Sequence, residues 1–233
     1  MHENFIATPW DATVFGINTF EITALSERAL REACLTTGHF TIKVDPLSCK
    51  KLLHNYGFYY CDTLIEPHCS QDQLVKLSHD HIFITREVNR QELMKIAHGA
   101  FSHGRFHRDF NIDRELADLR YDNWLNSLYE SGNVWGLFLN DELAGFFGCC
   151  KNKIVLHALK SEVRGKGLAK YFWSMACQQL FLDGHDEISS SISAANMAIL
   201  NLYSSLGFHF RNPLDVYHKI SYGVLNEELG AEK

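Results

Sequence analysis

The segment from Arg164 to Ala169, which reads Arg-Gly-Lys-Gly-Leu-Ala, has the residue types in this chain that most directly indicate binding chemistry. It lies between a predicted strand and a predicted helix, and its glycines allow tight turns in which successive N–H groups point into one concavity. The N-terminus of the following helix adds a partial positive charge. The segment therefore predicts a site for an anion such as a pyrophosphate, with an ordinary glycine-rich turn as the alternative.

Two other phosphate-binding motifs are absent from the sequence. There is no G-x-x-x-x-G-K-[S/T] loop and no G-x-G-x-x-G fingerprint, and the strands that precede the turn are predicted to be antiparallel. The sequence therefore argues against a P-loop nucleotide hydrolase and against a dinucleotide-binding fold.

The histidines and cysteines do not show the spacing of metal ligands. The densest group, His79-Asp80-His81, has no i, i+4 pair of ligands and no flanking cysteine, so it is predicted to be a solvated loop. The seven cysteines form no C-x-x-C pair, which favours reduced thiols that are buried as small apolar residues. We therefore expect no metal.

Composition and charge exclude several kinds of partner. The formal net charge is −6 and the pI is about 6.1, which argues against nucleic acid or an anionic membrane surface as the main partner. No apolar run reaches the roughly 20 residues of a membrane-spanning helix, and no signal-peptide pattern is apparent at the start. These features predict a cytoplasmic protein without a nucleic-acid or membrane partner.

The predicted elements form two unequal parts, which meet in a polar, histidine-rich stretch. The first part, residues 1–75, alternates strands with helices and so predicts a small α/β layer. Ser26 is a predicted N-cap, and Pro46 is predicted to lie in the first turn of the second helix. The helices are predicted at 25–37 and 45–55, and the strands at 40–44 and 59–65.

The second part, residues 80–222, precedes a tail at 223–233. Its three central strands are joined by turns short enough for antiparallel hairpins. The two parts share a short internal similarity: residues 51–58 and 199–208 both predict a helix, then Gly-Phe, then a strand. The first part is therefore either a partial copy of the second or similar to it by chance. Strands are predicted at 82–84, 134–139, 144–150, 154–159, 187–194 and 216–220, and helices at 90–101, 116–129, 168–182 and 196–206.

Two motifs at matching spacing resemble those of the GNAT acetyltransferases. Arg164 to Ala169 fits the [Arg/Gln]-x-x-Gly-x-[Gly/Ala] signature of that family, and Asn196 to Phe208 is similar to its second motif. The order of elements from about 82 to 220 is also similar. The resemblance implies an α/β GNAT fold with a mixed, mostly antiparallel central sheet and splayed strands, plus a smaller N-terminal α/β part. It also implies an acetyl-CoA-dependent N-acetyltransferase.

The resemblance further implies where acetyl-CoA binds as the co-substrate. Backbone N–H groups of the 164–169 segment would hold the pyrophosphate, and the pantetheine arm would pair with the strand at 154–159, where two parallel strands splay apart. The acetyl carbonyl would then lie near His157. The implied cofactor-binding residues are Ala158, Leu159, Arg164, Gly165, Lys166, Gly167, Leu168, Ala169, Asn196 and Tyr203.

Tyr203 is the predicted general acid, because a phenol can protonate the thiolate that leaves. Its alternative role is packing in the core. Asn196 lies two helical turns earlier, so both side chains can face one cleft, where the amide could bind water or pantetheine or simply cap the helix. His157 could act as a base, orient a water or pack within its strand. Asp109 and Asp113 are further candidates, and an already neutral amine would need no strong base.

Two segments, 10–18 and 104–107, are similar to parts of the bacterial TDP-fucosamine acetyltransferases. This resemblance implies a TDP-4-amino-4,6-dideoxy-galactose acceptor in the synthesis of a surface polysaccharide. One loop could supply positive charge for the diphosphate of TDP and an aromatic face for its thymine. The alternative interpretation is that this loop is simply exposed and basic. The predicted substrate contacts are Arg105, Phe106 and Arg108 in this loop, together with Phe15, Asn18 and His157.

Other functions stay open at this point. The same fold could acetylate a peptide, a polyamine or another small amine, or the chain could be an acyl-CoA sensor without turnover. The oligomeric state is also open, with a homodimer as one option.

Overall fold

The structure is a computed structural model that describes residues 4–223. The chain divides into two compact units. The described residues of unit 1 are 4–64, 104–117 and 213–223, and those of unit 2 are 65–103 and 118–212. The predicted tail at 223–233 lies outside the described residues apart from Gly223. Between residues 4 and 223, no helix is long and apolar enough to cross a membrane.

Eleven strands and seven α-helices make up the described chain. The strands are β1 (Phe5–Ala7), β2 (Thr19–Ile22), β3 (Thr37–Val44), β4 (Tyr59–Ser70), β5 (Ile82–Thr85), β6 (Val134–Leu139), β7 (Glu142–Cys150), β8 (Lys153–Leu159), β9 (Glu187–Ser190), β10 (Ile192–Ser193) and β11 (His209–Tyr222). The helices are α1 (Pro9–Phe15), α2 (Glu27–Leu35), α3 (Lys51–Asn55), α4 (Arg90–Ala97), α5 (Arg114–Glu130), α6 (Ala169–Leu182) and α7 (Met197–Ser205).

The predicted division at 75–80 differs from these units in two ways. Residues 65–75 belong to unit 2, whereas the loop at 104–117 and the end of the chain belong to unit 1. The second difference arises because β11 pairs antiparallel with β3 over eight residue pairs, from Asp215 opposite Val44 to Tyr222 opposite Thr37. A strand far along the sequence thereby completes the first unit.

Unit 1 has a sheet in the order β1-β2-β3-β11, in which β2 and β3 are parallel and the other neighbours are antiparallel. Ser26 caps α2 as predicted, since its Oγ accepts a hydrogen bond from Ala29 N at 3.2 Å. The helix predicted at 45–55 ends as predicted, but its predicted start is wrong: Leu47 N donates to Asp45 Oδ1 at 2.7 Å in a turn, and α3 begins only at Lys51. The core consists mainly of Phe5, Ile22, Leu30, Phe40, Ile42, Leu53, Phe58 and Tyr217.

Unit 2 has a sheet in the order β4-β9-β8-β7-β6-β5, in which only β8 and β9 are parallel neighbours. The predicted hairpin between β6 and β7 is confirmed. Asn140 and Asp141 have φ values of 50° and 65°, as a two-residue type I′ turn requires. The mixed, mostly antiparallel α/β architecture predicted from the sequence is therefore confirmed. α6 buries Phe172, Trp173, Ala176, Cys177 and Leu180 in the core of this unit.

Candidate active site

The glycine-rich turn of unit 2 presents backbone donors that nothing in the described chain occupies. Gly165 and Gly167 have φ values of +73° and +72°, a left-handed conformation that glycine adopts without strain. Arg164 N still donates to Ser161 O at 3.2 Å, but the N–H groups of Gly165 to Leu168 donate to no group in residues 4–223. No side chain there caps α6, which begins at Ala169. The turn therefore has the open donors of an anion site.

Positive charge is concentrated around the same turn, although the chain is acidic. Lys160, Arg164, Lys166 and Lys170 fall within eleven residues that include one acid, Glu162. Arg164 also ties the turn to the end of β8, because its Nε donates to Leu159 O at 2.8 Å. The turn and the strand are thus held together next to the free N–H groups. A diphosphate fits this combination of charge and donors.

β8 and β9 separate close to this turn. Their parallel pairing covers Lys153 opposite Ser189 and Ile154 opposite Ser190, whereas β8 continues to Leu159. Ser190 Oγ closes the paired end by donating to Ile154 O at 2.8 Å. From 155 to 159, β8 has register partners only in β7 within the described chain. This is the splayed parallel pair that the resemblance implied, and it leaves a strand edge open to an extended ligand.

The other edge of β8 is packed too closely for a larger residue in β7. A Cβ atom on Gly145 would collide with the carbonyl oxygen of Ala158 and with Leu159. Glycine at this position lets β7 lie directly against the part of β8 that faces the opening. Gly145 was not identified from the sequence, because a single glycine within an apolar strand gives no local signal of what approaches it.

Tyr203 lies on α7 and is fully buried in unit 2, with its hydroxyl 3.3 Å from His157 Nε2. Burial raises the pKa of Tyr203 well above its ordinary value, and interactions with Ser190 act in the opposite direction. Burial also lowers the pKa of His157 to about 4. At neutral pH the phenol therefore keeps its proton and the imidazole is neutral, which leaves Tyr203 as the group of this pair that can donate a proton.

Aromatic rings pack against this pair. Trp173 lies edge-on to the His157 ring with centroids 4.8 Å apart, and Phe147, itself 5.7 Å from Trp173, lies 6.2 Å from the His157 ring. Phe208 packs on Tyr203 at 4.7 Å. Trp173 and Ser190 were not identified from the sequence. Trp173 lies within the predicted helix at 168–182, but nothing in the sequence located it beside His157 or located Ser190 beside Tyr203.

Asn196 is the N-cap of α7, since its Oδ1 accepts a hydrogen bond from Ile199 N at 3.3 Å. This is one of its two predicted roles. The capping oxygen leaves the amide NH₂ group for a second partner. The cap also fixes the start of the helix that carries Tyr203.

The predicted substrate residues of the 10–18 and 104–108 segments all lie in unit 1, and two of them are core residues. Phe15 and Phe106 are 8% and 2% exposed and pack on each other with centroids 5.0 Å apart. Phe106 therefore offers no open ring face to thymine, which corrects its predicted stacking role. Asn18 is exposed.

The two arginines of the same loop differ from the predicted free, basic surface. The Arg108 guanidinium pairs with the buried carboxylate of Asp62 at 2.6 Å. The Arg105 guanidinium lies over the Phe106 ring, 4.8 Å from its centroid. Both cations are therefore partly committed within unit 1.

Asp109 is the centre of a buried cluster in unit 1. Its Oδ2 accepts from His39 Nε2 at 2.9 Å and from His218 Nδ1 at 2.8 Å. Its Oδ1 accepts from Tyr59 Oη and from Asn111 N, both at 2.9 Å. Burial raises the pKa of Asp109, but the hydrogen bonds from His218 and His39 outweigh it and hold the pKa well below its usual range.

The same cluster brings three potential metal-ligand atoms, from His39, Asp109 and His218, within 4.8 Å of one another. The donor set does not fit a cation well, because a ring N–H of each histidine already points at Asp109 Oδ2. Binding would require both rings to lose those protons. Asp109 is also excluded as a base, because each of its two carboxylate oxygens already accepts two hydrogen bonds. Asp113 is exposed and caps the start of α5 by accepting from Glu115 N at 2.9 Å.

Solved structures share this architecture at low sequence identity. A GCN5-related N-acetyltransferase from Sphaerobacter thermophilus aligns with a TM-score of 0.58 and 13% identity over 82% of this chain and 64% of that one. A conserved protein of unknown function from Staphylococcus epidermidis aligns with a TM-score of 0.64 and 12% identity over 95% of this chain and 93% of that one. A tandem GNAT protein from the clavulanic acid biosynthesis pathway aligns with a TM-score of 0.53 and 10% identity over 87% of this chain and 75% of that one.

These alignments support the fold and nothing finer, and the chain spans less than two thirds of the Sphaerobacter protein. A search of curated proteins gave no match. The comparisons therefore do not single out the TDP-fucosamine acetyltransferases. The sequence profile of the Acetyltransferase (GNAT) family matches residues 91–208, just over half of the chain, and this span includes the glycine-rich turn and Tyr203. The chain therefore belongs to the GNAT acetyltransferases, an enzyme family that uses acetyl-CoA.

Proposed function

We propose that this protein transfers the acetyl group of acetyl-CoA to the amine of a nucleotide-linked amino sugar, with Tyr203 as the general acid. The observation that carries the proposal is the opening between β8 and β9 beside a turn with unoccupied N–H groups. The turn suits the pyrophosphate of CoA, and the edge of β8 from 155 to 159 suits the amides of the pantetheine arm. Ala158 and Leu159 then lie where the acetyl group would be.

When bound, acetyl-CoA supplies a thioester carbon that an amine can attack. The lone pair of the acceptor nitrogen forms the new carbon–nitrogen bond, and the carbon–sulfur bond breaks with its electron pair on sulfur. Tyr203 donates its hydroxyl proton to that sulfur, and the proton lost from nitrogen passes to solvent, which reprotonates the phenol. The raised pKa of Tyr203 keeps its proton in place until the sulfur becomes basic.

The amino-sugar acceptor rests on the two segments that resemble the TDP-fucosamine acetyltransferases. Both belong to unit 1, and they pack on each other through Phe15 and Phe106. We propose that Arg105, Arg108 and Asn18 contribute to binding the TDP part of the acceptor. The burial of Phe106 and the pairing of Arg108 with Asp62 favour a second candidate, which is the same transfer to a smaller amine without a nucleotide.

The decisive experiment measures thiol release from acetyl-CoA with a panel of amines. The panel contains TDP-sugars with the amine at position 3 or at position 4, polyamines, and peptides with a free N-terminus or lysine. The proposal expects the fastest release with the 4-amino sugar. Release only with another amine would move the function to the second candidate. Thermal stabilisation by acetyl-CoA without thiol release from any amine would indicate a non-catalytic sensor.

A matched pair of glycine variants tests the cofactor site in the same assay. Gly167→Glu adds bulk and negative charge to the turn, and we expect at least about a hundredfold weaker acetyl-CoA binding. Gly132→Glu is the control, because Gly132 has a similar φ of +70° and a Cβ atom added there would also have no neighbour within 4 Å, but it lies outside the turn. Calorimetry should separate the two variants. Equal acetyl-CoA affinity in both would place the pyrophosphate elsewhere.

A further inference from the structure

The hydrogen bond between Tyr203 and His157 has a direction that follows from the protonation of the two groups. Only Nε2 of His157 reaches the Tyr203 hydroxyl, at 3.3 Å. A neutral imidazole has one nitrogen that can accept, and a phenol that keeps its proton can donate to it. We therefore assign the tautomer in which Nε2 is unprotonated and accepts from the Tyr203 O–H.

This arrangement argues against His157 as the base for the acceptor amine. Its one lone pair is directed at the Tyr203 hydroxyl, and burial keeps the imidazole neutral with a pKa of about 4. Trp173 and Phe147 also pack beside the imidazole and against each other, with their own centroids 5.7 Å apart, and so restrict its rotation. A neutral acceptor with restricted rotation is suited to holding a donor in one orientation.

We propose that His157 is a positioning residue that fixes the orientation of the Tyr203 hydroxyl, so that its oxygen stays beside the opening of β8 and its proton is held between Oη and Nε2 until the leaving sulfur takes it. The proposal rests on the general-acid role of Tyr203 proposed above. His157 belongs to β8 beyond the last pair with β9, so the strand that would bind the cofactor also holds the acid. A free phenol on α7 would rotate about its C–O bond and lose part of its proton-transfer geometry.

Trp173 supplies an independent sign that this pocket is built for a change of charge on Tyr203. Its Nε1 is buried and has no hydrogen-bond partner in the described part of the chain. Its interaction with Tyr203 nevertheless lowers the pKa of the phenol, which means that it stabilises the phenolate. A buried donor near the phenol that has no fixed partner favours the negative charge that forms on Tyr203 as its proton leaves.

Two variants of His157 separate its hydrogen bond from its packing. His157→Phe keeps a flat ring packed against Trp173 and Phe147 but removes the acceptor, whereas His157→Gln places an acceptor oxygen near the position of Nε2. In single-turnover acetyl transfer we expect about a three- to tenfold loss of rate for His157→Phe. The KM for acetyl-CoA should stay unchanged, and His157→Gln should recover most of the rate.

The double variant with Tyr203→Phe tests whether His157 acts through Tyr203. Tyr203→Phe alone should lower the rate by about a hundredfold or more. If His157 works only by orienting that hydroxyl, adding His157→Phe to Tyr203→Phe should cause no further loss. A multiplicative loss in the double variant, or an unchanged rate in His157→Phe, would overturn the proposal.

A change of leaving group gives a readout that loose packing would not move. Acetyl-seleno-CoA releases a more acidic selenol, which leaves without much help from a proton donor. The deficit of His157→Phe should therefore shrink with the selenoester, and an equal deficit with both donors would contradict a role in proton donation. Failure of the underlying function is distinguishable, because the wild-type protein would then release no thiol with any amine, or Tyr203→Phe would be fully active.

Discussion

Unit 1 and unit 2 each hold histidine rings against an oxygen group, a carboxylate in unit 1 and a phenol in unit 2, and the two clusters differ in how fully their atoms are paired. In unit 1, Asp109 accepts four hydrogen bonds, including those from His39, His218 and Tyr59. In unit 2, the hydroxyl of Tyr203 meets His157 at 3.3 Å, the long end of the hydrogen-bond range. The first cluster holds a fixed charge, and the second holds a transferable proton.

The difference separates an architectural role from a chemical one. A buried carboxylate with four donors is costly to disturb, because any loss leaves a charge or a donor without a partner. A buried phenol beside a neutral imidazole carries no charge, so it can lose its proton to a ligand and regain it without dismantling the core. We therefore expect changes in the Asp109 cluster to lower stability, and changes in the Tyr203 pair to lower turnover.

The largest expected effect on stability comes from Asp109→Asn. The amide keeps the shape of the carboxylate but turns two acceptor positions toward donors, so we expect a loss of about 3–5 kcal/mol in the free energy of unfolding. Urea unfolding gives the total loss. Hydrogen–deuterium exchange resolved by peptide should show that the loss is concentrated in unit 1.

Asp113→Asn is the matched control for that variant. Asp113 lies in the same loop, but it is exposed and accepts only a local hydrogen bond from Glu115 N at 2.9 Å. Its replacement should change stability by no more than about 0.5 kcal/mol. If the two variants were equally stable, the Asp109 cluster would not be the structural anchor inferred from its hydrogen bonds.

The sequence was sufficient for features that depend on neighbouring residues and insufficient for those that depend on distant ones. The 164–169 turn and the Ser26 and Asn196 caps were predictable, because a few consecutive residues define them. The Asp109 cluster was not, since His39 and His218 lie 70 and 109 residues away in the chain. The three short elements at the start, β1, α1 and β2, span too few residues for a periodic pattern to mark them.

Phe106, whose predicted stacking role was wrong, shows the same limit of local sequence. Arg105-Phe106 and Arg108 read as an exposed basic loop with an aromatic face, because sequence alone does not show that Phe15 and His218 pack on Phe106. Phe110, four residues later, is the aromatic residue of that loop that is exposed, at 79%. The choice between the two rings depends on tertiary packing that local composition does not encode.

The two clusters should behave alike in acid, which is the next-largest effect. Burial lowers the pKa of His218 to about 3 and that of His157 to about 4, from 6.5. Both rings are neutral when folded and take up a proton on unfolding below pH 6.5. Their contributions to stability are therefore fully present above about pH 6.5 and fall as the pH drops, each by about 1.4 kcal/mol per pH unit.

Replacing either ring should remove its share of that slope. We expect His218→Gln and His157→Gln each to flatten the dependence of unfolding free energy on pH between 5 and 6.5 by about one proton. Urea titrations at half-unit intervals of pH measure this slope for each variant. A slope that stays at the wild-type value in the His218 variant would mean that this ring is already protonated in the folded protein.

The smallest expected effect is the loss of stability when one helix cap is removed from each unit. Ser26 Oγ accepts from Ala29 N at 3.2 Å, and Asn196 Oδ1 accepts from Ile199 N at 3.3 Å. Ser26→Ala and Asn196→Ala should therefore each lower stability by about 1 kcal/mol. Only the second helix carries Tyr203, so only Asn196→Ala should also reduce turnover, by a few-fold at most if capping is its sole role.

Asn196→Asp then distinguishes the cap from a contact with the cofactor. Aspartate keeps the capping oxygen and adds a charge that suits a helix N-terminus, so stability should return to the wild-type value. The amide N–H donors are lost, however. If the Asn196 amide donates to the pantetheine arm, the KM for acetyl-CoA should rise in Asn196→Asp although the helix is capped. An unchanged KM would leave Asn196 as a structural residue, equivalent in unit 2 to Ser26 in unit 1.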